Sequence, residues 1–301
     1  MGKTFTQKII RSLSPDFIYL NSVFSRPFTI DVVLAHRKIK SAAGLVLAPR
    51  GMFKPTALAI KPLKKKLFLW LAKFSGIYKS IHFHATNETE LQEVKAVFGN
   101  TAVSIANNFP AAILKTPVYL EKTAGKLNLV AVGRIHPIKN IDFILKQLGH
   151  VPGTIHLDII GAAEDHAYRL ACEAIIQQLP KEKTVSFLGE LPNHLLNQAL
   201  SEHHLFVLPT LGENFGHAIA EALGNGRPVL ISDQTPWRNL SSHNAGWDCP
   251  LFSPEMFRAA LQEAADWNQD TFNKWCNGAL AFAATKQQTN QLIQQYQQLF
   301  N

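Results

Sequence analysis

The chain is poor in the features that mark secreted and membrane-spanning proteins. Only three of its 301 residues are cysteines (Cys172, Cys249 and Cys276), and their spacing fits neither a disulfide framework nor a metal site. No apolar run approaches the roughly 20 residues that a membrane-spanning helix needs. The segment Met1–Ser14 is basic and polar, unlike a signal peptide. We therefore expect a cytoplasmic protein from a reducing compartment.

Acidic residues are scarce in the first part of the chain. Residues 1–125 contain 18 lysines and arginines against 6 aspartates and glutamates, whereas residues 126–301 contain 12 against 16. Much of the excess lies in Lys54–Lys79, where lysines alternate with leucine, phenylalanine and tryptophan. This pattern fits a helix with solvated lysines and a buried apolar stripe, or peripheral contact with an anionic membrane at its inner face. No RNA- or DNA-binding motif accompanies the charge, so nucleic acid is not an expected partner.

Apolar strands alternate with helical patterns along the whole chain, and 47% apolar residues suffice for two cores. Unbroken apolar strands between helices predict an α/β fold with parallel sheets that are covered on both faces. The predicted strands are Asp16–Asn21, Gly44–Pro49, Ile81–Thr86, Val103–Asn107, Leu127–Gly133, Ile155–Gly161, Val185–Leu188, Leu205–Pro209, Val229–Ser232 and a short one near Trp247. The predicted helices of the first half are Thr29–Ile39, Lys61–Phe74 and Thr89–Phe98.

The most informative segment is Gly212–Ser232. It places Gly-Glu-Asn-Phe-Gly between an apolar strand and a helix, and Gly-x-Pro-Val before the next strand. Glu213 lies on the loop and Glu221 follows eight residues later on the helix. Backbone amides at a helix N-terminus bind anions or hydroxyls, and carboxylates accept the paired hydroxyls of a sugar. The segment therefore suits a nucleotide sugar, and the alternative is an ordinary strand–loop–helix connection.

A second cluster follows the predicted strand Leu127–Gly133. Arg134 and Lys139 lie five residues apart on the loop after this strand. A guanidinium fork and a mobile ammonium suit a diphosphate. Ligands of open parallel sheets bind at the carboxyl ends of the strands, where both this loop and the Glu213 loop are expected. Taken alone, the cluster is also compatible with a basic solvated loop.

These two clusters together resemble retaining glycosyltransferases of group 1, family 4, which have two Rossmann-like domains facing a cleft. The likeness extends over nearly the whole chain. It includes Gly161, Gly189, Thr235–Leu240, Asn244–Trp247, Ala48–Met52 and His84–Glu90. The resemblance implies further strands and a Gly-rich loop before Asp16–Asn21, and no such loop precedes this strand, so we expect a shortened N-terminal domain. We therefore expect this strand to be a sheet edge covered by Met1–Ser14, by a second copy or by a partner.

The resemblance implies roles for individual residues. Residues matching Arg134 and Lys139 bind the donor diphosphate, the one matching Glu213 contacts the transferred sugar, and the one matching Glu221 holds the ribose. Glu213, Arg134 and Lys139 are the predicted catalytic residues. Arg50, where many relatives have histidine, and His217 are additional candidates. The predicted donor-binding set is Gly133, Arg134, Lys139, Glu213, Asn214, Phe215, Gly216 and Glu221.

The resulting expectation is transfer of a hexose from a nucleoside diphosphate sugar to a glycan or lipid-linked acceptor, with retention of configuration. No cofactor or metal is expected, because no Asp-x-Asp pair is present. The alternative is a catalytically incomplete sugar-nucleotide-binding subunit that acts with a partner, and a homo-oligomer is a further expectation. The predicted division is an N-terminal acceptor-side domain over 1–122, a donor-binding domain over 123–285 and a closing helix over 286–301.

Overall fold

The computed structural model describes residues 3–59, 61–109, 112–286 and 289–301. The chain divides into an N-terminal unit, residues 1–109 with 288–301, and a C-terminal unit, residues 110–287. Each contains one parallel sheet with helices around it, which confirms the predicted α/β class with two Rossmann-like parallel-sheet domains. In the described ranges, no helix combines the length and the apolar character that crossing a membrane requires.

The N-terminal unit is built on a four-stranded sheet in the order β1-β2-β3-β4, so β1 lies at an edge as expected. Its elements are α1 (Lys3–Leu13), β1 (Phe17–Asn21), a π-helical turn (Arg26–Ile30), α2 (Asp31–Ile39), β2 (Gly44–Ala48), α3 (Pro55–Ala59), α4 (Pro62–Phe74), β3 (Ile81–Ala85), α5 (Glu88–Phe98) and β4 (Val103–Ile105). The predicted strands are confirmed, although β4 is shorter than Val103–Asn107. The helix predicted over Thr29–Ile39 begins at Asp31, after the π-helical turn.

One face of this small sheet is covered by the C-terminal end of the chain. Helix α12 (Thr289–Leu299) packs against β4, and Leu299 and Phe300 share an apolar cluster with Val46 and Ala106. The ring of Phe17 on β1 contacts Phe300 with centroids 5.6 Å apart. The predicted closing helix is therefore part of the N-terminal unit. Gln287 and Gln288, which belong to the predicted closing helix over 286–301, lie outside the described residues.

The C-terminal unit has a six-stranded parallel sheet in the order β10-β9-β8-β5-β6-β7. Its strands are β5 (Lys126–Val132), β6 (Thr154–Ile160), β7 (Lys183–Gly189), β8 (Leu205–Leu208), β9 (Val229–Ser232) and β10 (Gly246–Cys249). The helices between and after them are α6 (Ile141–Leu148), α7 (His166–Ile176), α8 (Asn193–Ser201), α9 (His217–Gly224), α10 (Pro254–Asp266) and α11 (Gln269–Thr285).

Alternate residues of these strands supply two cores, one on each face of the sheet. Leu129 and Val207 belong to the core under α6, α10 and α11, whereas Val130 and Phe206 belong to the core under α8 and α9. All four side chains are buried. Burial of both faces explains why β8 is apolar at every position, and β5 from Leu129 to Val132, rather than at every second one.

The boundary between the units differs from the predicted one at residues 122 and 123. The described residues from Ala112 to Gly125 already belong to the C-terminal unit, to which hydrogen bonds connect them. Leu114 N donates to Gly224 O at 2.9 Å, and Lys122 Nζ donates to the carbonyl oxygens of Ala265 and Trp267 at 2.9 and 3.1 Å. The short polar stretch Leu120–Lys126, which the sequence suggests as a linker between the domains, is thus held by a buried lysine near the C-terminal end of α10.

Candidate functional site

The candidate site lies at the carboxyl ends of β5 and β8, which are neighbours in the C-terminal sheet. From β5 the chain proceeds through β6 to β7 on one side, and from β8 through β9 to β10 on the other. The loops after these two strands therefore diverge to opposite faces, which makes a crevice at the switch point of the sheet. One loop carries Arg134 and Lys139, and the other carries Glu213.

Backbone contacts hold the two loops together. After β5, Pro137–Lys139 form one turn of 3₁₀ helix, and the carbonyl oxygen of Ile138 accepts two hydrogen bonds from the other loop. Leu211 N donates at 2.8 Å and Thr210 Oγ1 donates at 2.9 Å. Ser232 Oγ, at the end of β9, donates to Thr210 O at 2.5 Å. The position of the Glu213 loop is therefore fixed from both neighbouring strands.

Lys139 and Glu213 meet in this crevice. Lys139 Nζ donates to Glu213 Oε1 in an ion pair whose side chains are 16% and 15% exposed. Glu213 N donates to Gln234 O at 2.9 Å, which orients the loop toward Lys139. The structure thus brings together the residue predicted to bind the diphosphate and the residue predicted to contact the sugar. Each neutralises the other here, so an anionic ligand of Lys139 would release Glu213.

Arg134 lies on the same loop but has a different partner. Its guanidinium forms an ion pair with Glu164 at 2.5 Å, and the two side chains are 61% and 47% exposed. Exposed pairs of this kind contribute little free energy, about 0–1 kcal/mol. Arg134 can therefore exchange Glu164 for another anion at small cost. The sequence interpretation missed Glu164, although its place after β6 puts it at the same edge of the sheet.

Glycines allow the ends of β5, β6 and β7 to approach each other closely. Gly161 has a φ of +146°, and a Cβ at this position would overlap the carbonyl oxygen of Gly133. Gly161 N donates to Gly189 O at 2.7 Å, and Gly133 N donates to Ile160 O at 2.9 Å. Any side chain at Gly161 would push the Arg134 loop away from the sheet.

The Asn-Phe-Gly segment shapes the N-terminus of α9. Gly216 caps this helix with a φ of +80°, and a Cβ here would lie 2.8 Å from Ile219 Cδ1. Trp237 Nε1 donates to Phe215 O at 2.6 Å, and its ring packs against that of Phe215 at 5.7 Å. A glycine cap supplies no side-chain oxygen to the first-turn amides, which keeps this helix end suitable for an anion.

Glu221 and His217 extend from α9 in different surroundings. Glu221 is partly buried, and burial alone raises the pKa of its carboxyl above the ordinary range. No ion pair with Glu221 occurs among the described residues, so the desolvation of its charge is not compensated. His217 is exposed, with its ring 4.9 Å from that of Phe215.

Arg50 lies in the N-terminal unit, at the carboxyl end of its own sheet. Its guanidinium donates to the Tyr19 hydroxyl at 2.9 Å, to Asn21 Oδ1 at 3.4 Å and to Asn108 Oδ1. The Tyr19 hydroxyl is 2.6 Å from His84 Nδ1. Burial lowers the pKa of His84, whose Nε2 bonds to Ala106 O at 2.7 Å. Within the described ranges, every partner of Arg50 is neutral.

Below Arg50, a buried carboxylate fastens the loops that follow β2 and β3. Glu90 Oε1 accepts from Gly51 N at 2.5 Å, and Oε2 accepts from the Thr86 amide and hydroxyl, both at 2.7 Å. The side chain is almost fully buried. Glu90 is thus placed as a structural carboxylate. In the part of the chain that the structure describes, no three histidine, cysteine, aspartate or glutamate residues cluster as metal ligands would.

Known proteins resemble both the sequence and the fold. The family model described as glycosyl transferases group 1 matches residues 126–266. The O-antigen chain mannosyltransferase RfbU of Salmonella typhimurium is 28% identical over 127 residues, which are 42% of this chain and 35% of RfbU. The alignment thus spans about a third of that relative.

Solved structures resemble the whole fold. Anabaena HepE, crystallised with UDP and glucose, superposes with a TM-score of 0.72 at 15% identity, over 98% of this chain and 80% of HepE. Sucrose-phosphate synthase of Thermosynechococcus elongatus gives 0.72 at 14% identity, over 99% of this chain and 76% of the synthase. The resemblance inferred from the motifs is confirmed: residues 126–266, which carry the whole Lys139–Glu213 site, match glycosyl transferases group 1.

Proposed function

We propose that the chain is a glycosyltransferase that moves a hexose from a nucleoside diphosphate sugar to a glycan or lipid-linked acceptor, with retention of configuration. The observation that carries this proposal is the pairing of Lys139 with Glu213 at the switch point of the C-terminal sheet. The matching family, the mannosyltransferase RfbU and the UDP and glucose bound to HepE support the choice of donor. Polysaccharide biosynthesis is the setting that the O-antigen chain mannosyltransferase RfbU suggests.

In this proposal the donor exchanges the ion pairs of the ligand-free site for its own contacts. The diphosphate takes Lys139 from Glu213 and Arg134 from Glu164, and the amides at the start of α9 contribute further positive potential. Charge that develops on the leaving diphosphate is then stabilised by two cations and a helix end, without a requirement for a metal ion.

Exchange also assigns separate roles to the two glutamates. Once Lys139 is taken by phosphate, Glu213 becomes an acceptor for hydroxyls of the transferred sugar. Glu221, four residues into α9, accepts the ribose hydroxyls. Phe215 and Gly216 set the distance between these carboxylates, since Trp237 holds the Phe215 carbonyl. Asn214 and His217 border the donor. Arg50 is a candidate contact for an anionic group on the acceptor side.

A nucleotide-release assay tests the activity. The full chain is incubated with UDP-glucose, UDP-N-acetylglucosamine or GDP-mannose, with and without a glycan extract as acceptor, and liberated nucleoside diphosphate is measured. We expect one donor to release its nucleotide only with acceptor, equally with and without a chelator, and Glu213→Gln to lower the rate. Binding of a donor without any release would instead support the binding-subunit alternative.

A further inference from the structure

Helix α4 of the N-terminal unit has two apolar faces, and only one of them is buried. Phe68, Leu69 and Ala72 point into the unit, where the Phe68 ring packs against Phe24 with centroids 5.3 Å apart. Lys65 lies on the same side, because its Nζ donates to Ala57 O at 2.5 Å. This face is the buried stripe that the sequence pattern allowed.

The opposite face of α4 carries a second apolar stripe in solvent. Five large side chains lie on it with exposed fractions of 49% to 84%: Leu63, Leu67, Trp70, Leu71 and Phe74. At about 100° per residue they fall within an arc of roughly 100°, nearly opposite the buried face. The rings of Trp70 and Phe74 stack on each other, with centroids 5.9 Å apart and planes 11° apart. A stripe this wide on one helix exceeds the scattered apolar residues of an ordinary surface.

Lysines flank this exposed stripe on both sides. Lys64 lies on one side, and Lys66 and Lys73 lie on the other, all exposed. The neighbouring sequence contains no acidic residue that could neutralise them, since residues 32–87 include eleven lysines and arginines and no aspartate or glutamate. An apolar stripe between cationic rows is the arrangement of a helix that lies in a membrane interface, where apolar groups enter the acyl boundary and lysines reach the headgroups.

We infer that the exposed face of α4 is a docking surface for an anionic phospholipid bilayer. A second copy of the chain suits this face less well, because a two-fold contact would bring its lysine rows against each other. A bilayer rich in anionic headgroups presents the opposite charge to the same rows. Each lysine near its surface should raise the affinity of the chain for the bilayer about fivefold. The helix lies on the bilayer and does not span it. This inference is independent of the proposed transferase activity.

Vesicle co-sedimentation of the full chain tests the inference. The probes are vesicles of phosphatidylcholine alone and of phosphatidylcholine mixed with phosphatidylglycerol. We expect binding to the mixed vesicles only, weakened by added salt, which screens the lysines. Lys64→Gln/Lys66→Gln should weaken it about 30-fold, the product of two lysine contributions. Trp70→Gln/Phe74→Gln should weaken it by about tenfold or more, since both rings lose their apolar contact.

Matched substitutions on the C-terminal unit serve as controls. Lys181→Gln/Lys274→Gln removes two exposed lysines, and Phe252→Gln removes an exposed aromatic ring. These controls should bind vesicles as the unaltered chain does. All substituted residues are exposed, so circular dichroism and thermal unfolding should agree among the variants. Tryptophan emission provides a second readout: a shift to shorter wavelength in the mixed vesicles, which Trp70→Gln/Phe74→Gln abolishes, assigns the insertion to Trp70 among the five tryptophans.

Three results would overturn the inference. One is absence of binding to the mixed vesicles, and another is binding that the α4 variants and the controls share equally. The third is a dimer in sedimentation velocity that Trp70→Gln/Phe74→Gln dissociates, without vesicle binding, which would assign this face to a second copy of the chain.

Discussion

Charged side chains at the carboxyl ends of the two sheets make different kinds of contact. In the N-terminal unit, the buried Glu90 accepts three hydrogen bonds from Gly51 and Thr86, and Arg50 donates to neutral groups. In the C-terminal unit, Lys139 and Arg134 instead form ion pairs with Glu213 and Glu164, and solvent reaches both pairs. A buried hydrogen-bonded carboxylate fixes a loop, whereas a partly exposed ion pair can be exchanged for a ligand. The contacts of Glu90 and Arg50 therefore stabilise the fold, whereas those of Lys139 and Arg134 can be exchanged for contacts with a ligand.

The largest effect should come from breaking the N-terminal fastening. Glu90→Ala leaves two buried amides and a hydroxyl without their acceptor, so the free energy of unfolding should fall by at least about 3 kcal/mol. Urea unfolding measures the change, and hydrogen exchange should locate it in β2 and β3. Glu88→Ala, on the exposed side of α5, is the control and should change stability little. Equal losses in both variants would contradict the framework role of Glu90.

Arg50→Ala should lower the free energy of unfolding by less than Glu90→Ala does. It also tests whether Arg50 acts only within the N-terminal unit. It removes three hydrogen bonds to neutral groups, two of which are partly buried, so we expect a loss of about 1–3 kcal/mol in unfolding free energy. The affinity for a nucleoside diphosphate should stay unchanged, since Arg50 belongs to the N-terminal unit. Calorimetric titration checks this, with Arg26→Ala as an exposed control. Loss of nucleotide affinity in Arg50→Ala alone would place Arg50 among the donor contacts.

The two glutamates of the C-terminal unit should respond with opposite signs in stability. Glu221→Gln removes an uncompensated buried charge, so unfolding free energy should rise by about 1 kcal/mol while nucleotide affinity falls. Glu213→Gln leaves Lys139 without its partner, so stability should fall by about 1 kcal/mol. Free nucleotide binding should then be spared, and binding of the intact donor weakened. Thermal unfolding measures the two stabilities, and paired titrations measure the affinities for free nucleotide and for intact donor. Parallel behaviour of the two variants would refute the division of roles.

The raised pKa of Glu221 gives this difference a pH dependence. A carboxyl whose pKa is higher in the folded state stabilises the fold at low pH and loses that contribution as pH rises through the folded pKa. The stability gain of Glu221→Gln should therefore appear near neutral pH and vanish on acidification. Nucleotide affinity of the unaltered chain should approach that of the variant over the same range. A gain that persists in acid would mean that Glu221 is not an uncompensated charge.

Much of this site could be predicted from the sequence because it depends on local patterns. Apolar strands, the glycines at the ends of β5, β6 and β7, and Glu213 before α9 placed the loops at one edge of the sheet. The partners in space could not be predicted in that way. Glu164 and Gln234 are remote in sequence from Arg134 and Glu213, and no periodicity connects them. The unit boundary was misplaced for a similar reason, since a polar stretch does not reveal the buried contacts of Lys122.

Helix α4 shows the same limit of sequence-based prediction within a single helix. The sequence allowed either a buried apolar stripe or a membrane-facing one, because it alternates lysines with apolar residues. The structure contains both stripes, on opposite faces of the helix. Their separation depends on how α4 packs against Phe24 and its neighbours, which is a tertiary property. Helical periodicity alone could not decide which stripe faces the core.

Titration of a nucleoside diphosphate into Lys139→Ala and Arg134→Ala tests the central claim most directly. UDP or GDP, whichever the unaltered chain binds, is titrated by calorimetry into these variants and into Lys181→Ala, which removes an exposed lysine elsewhere on the same unit. Loss of a charge-assisted contact is worth about 1.5–3 kcal/mol, so affinity should fall by roughly 10- to 150-fold in each of the first two variants. Lys181→Ala should bind as the unaltered chain does. Unchanged affinity in both Lys139→Ala and Arg134→Ala would contradict the assignment of this crevice to the donor diphosphate.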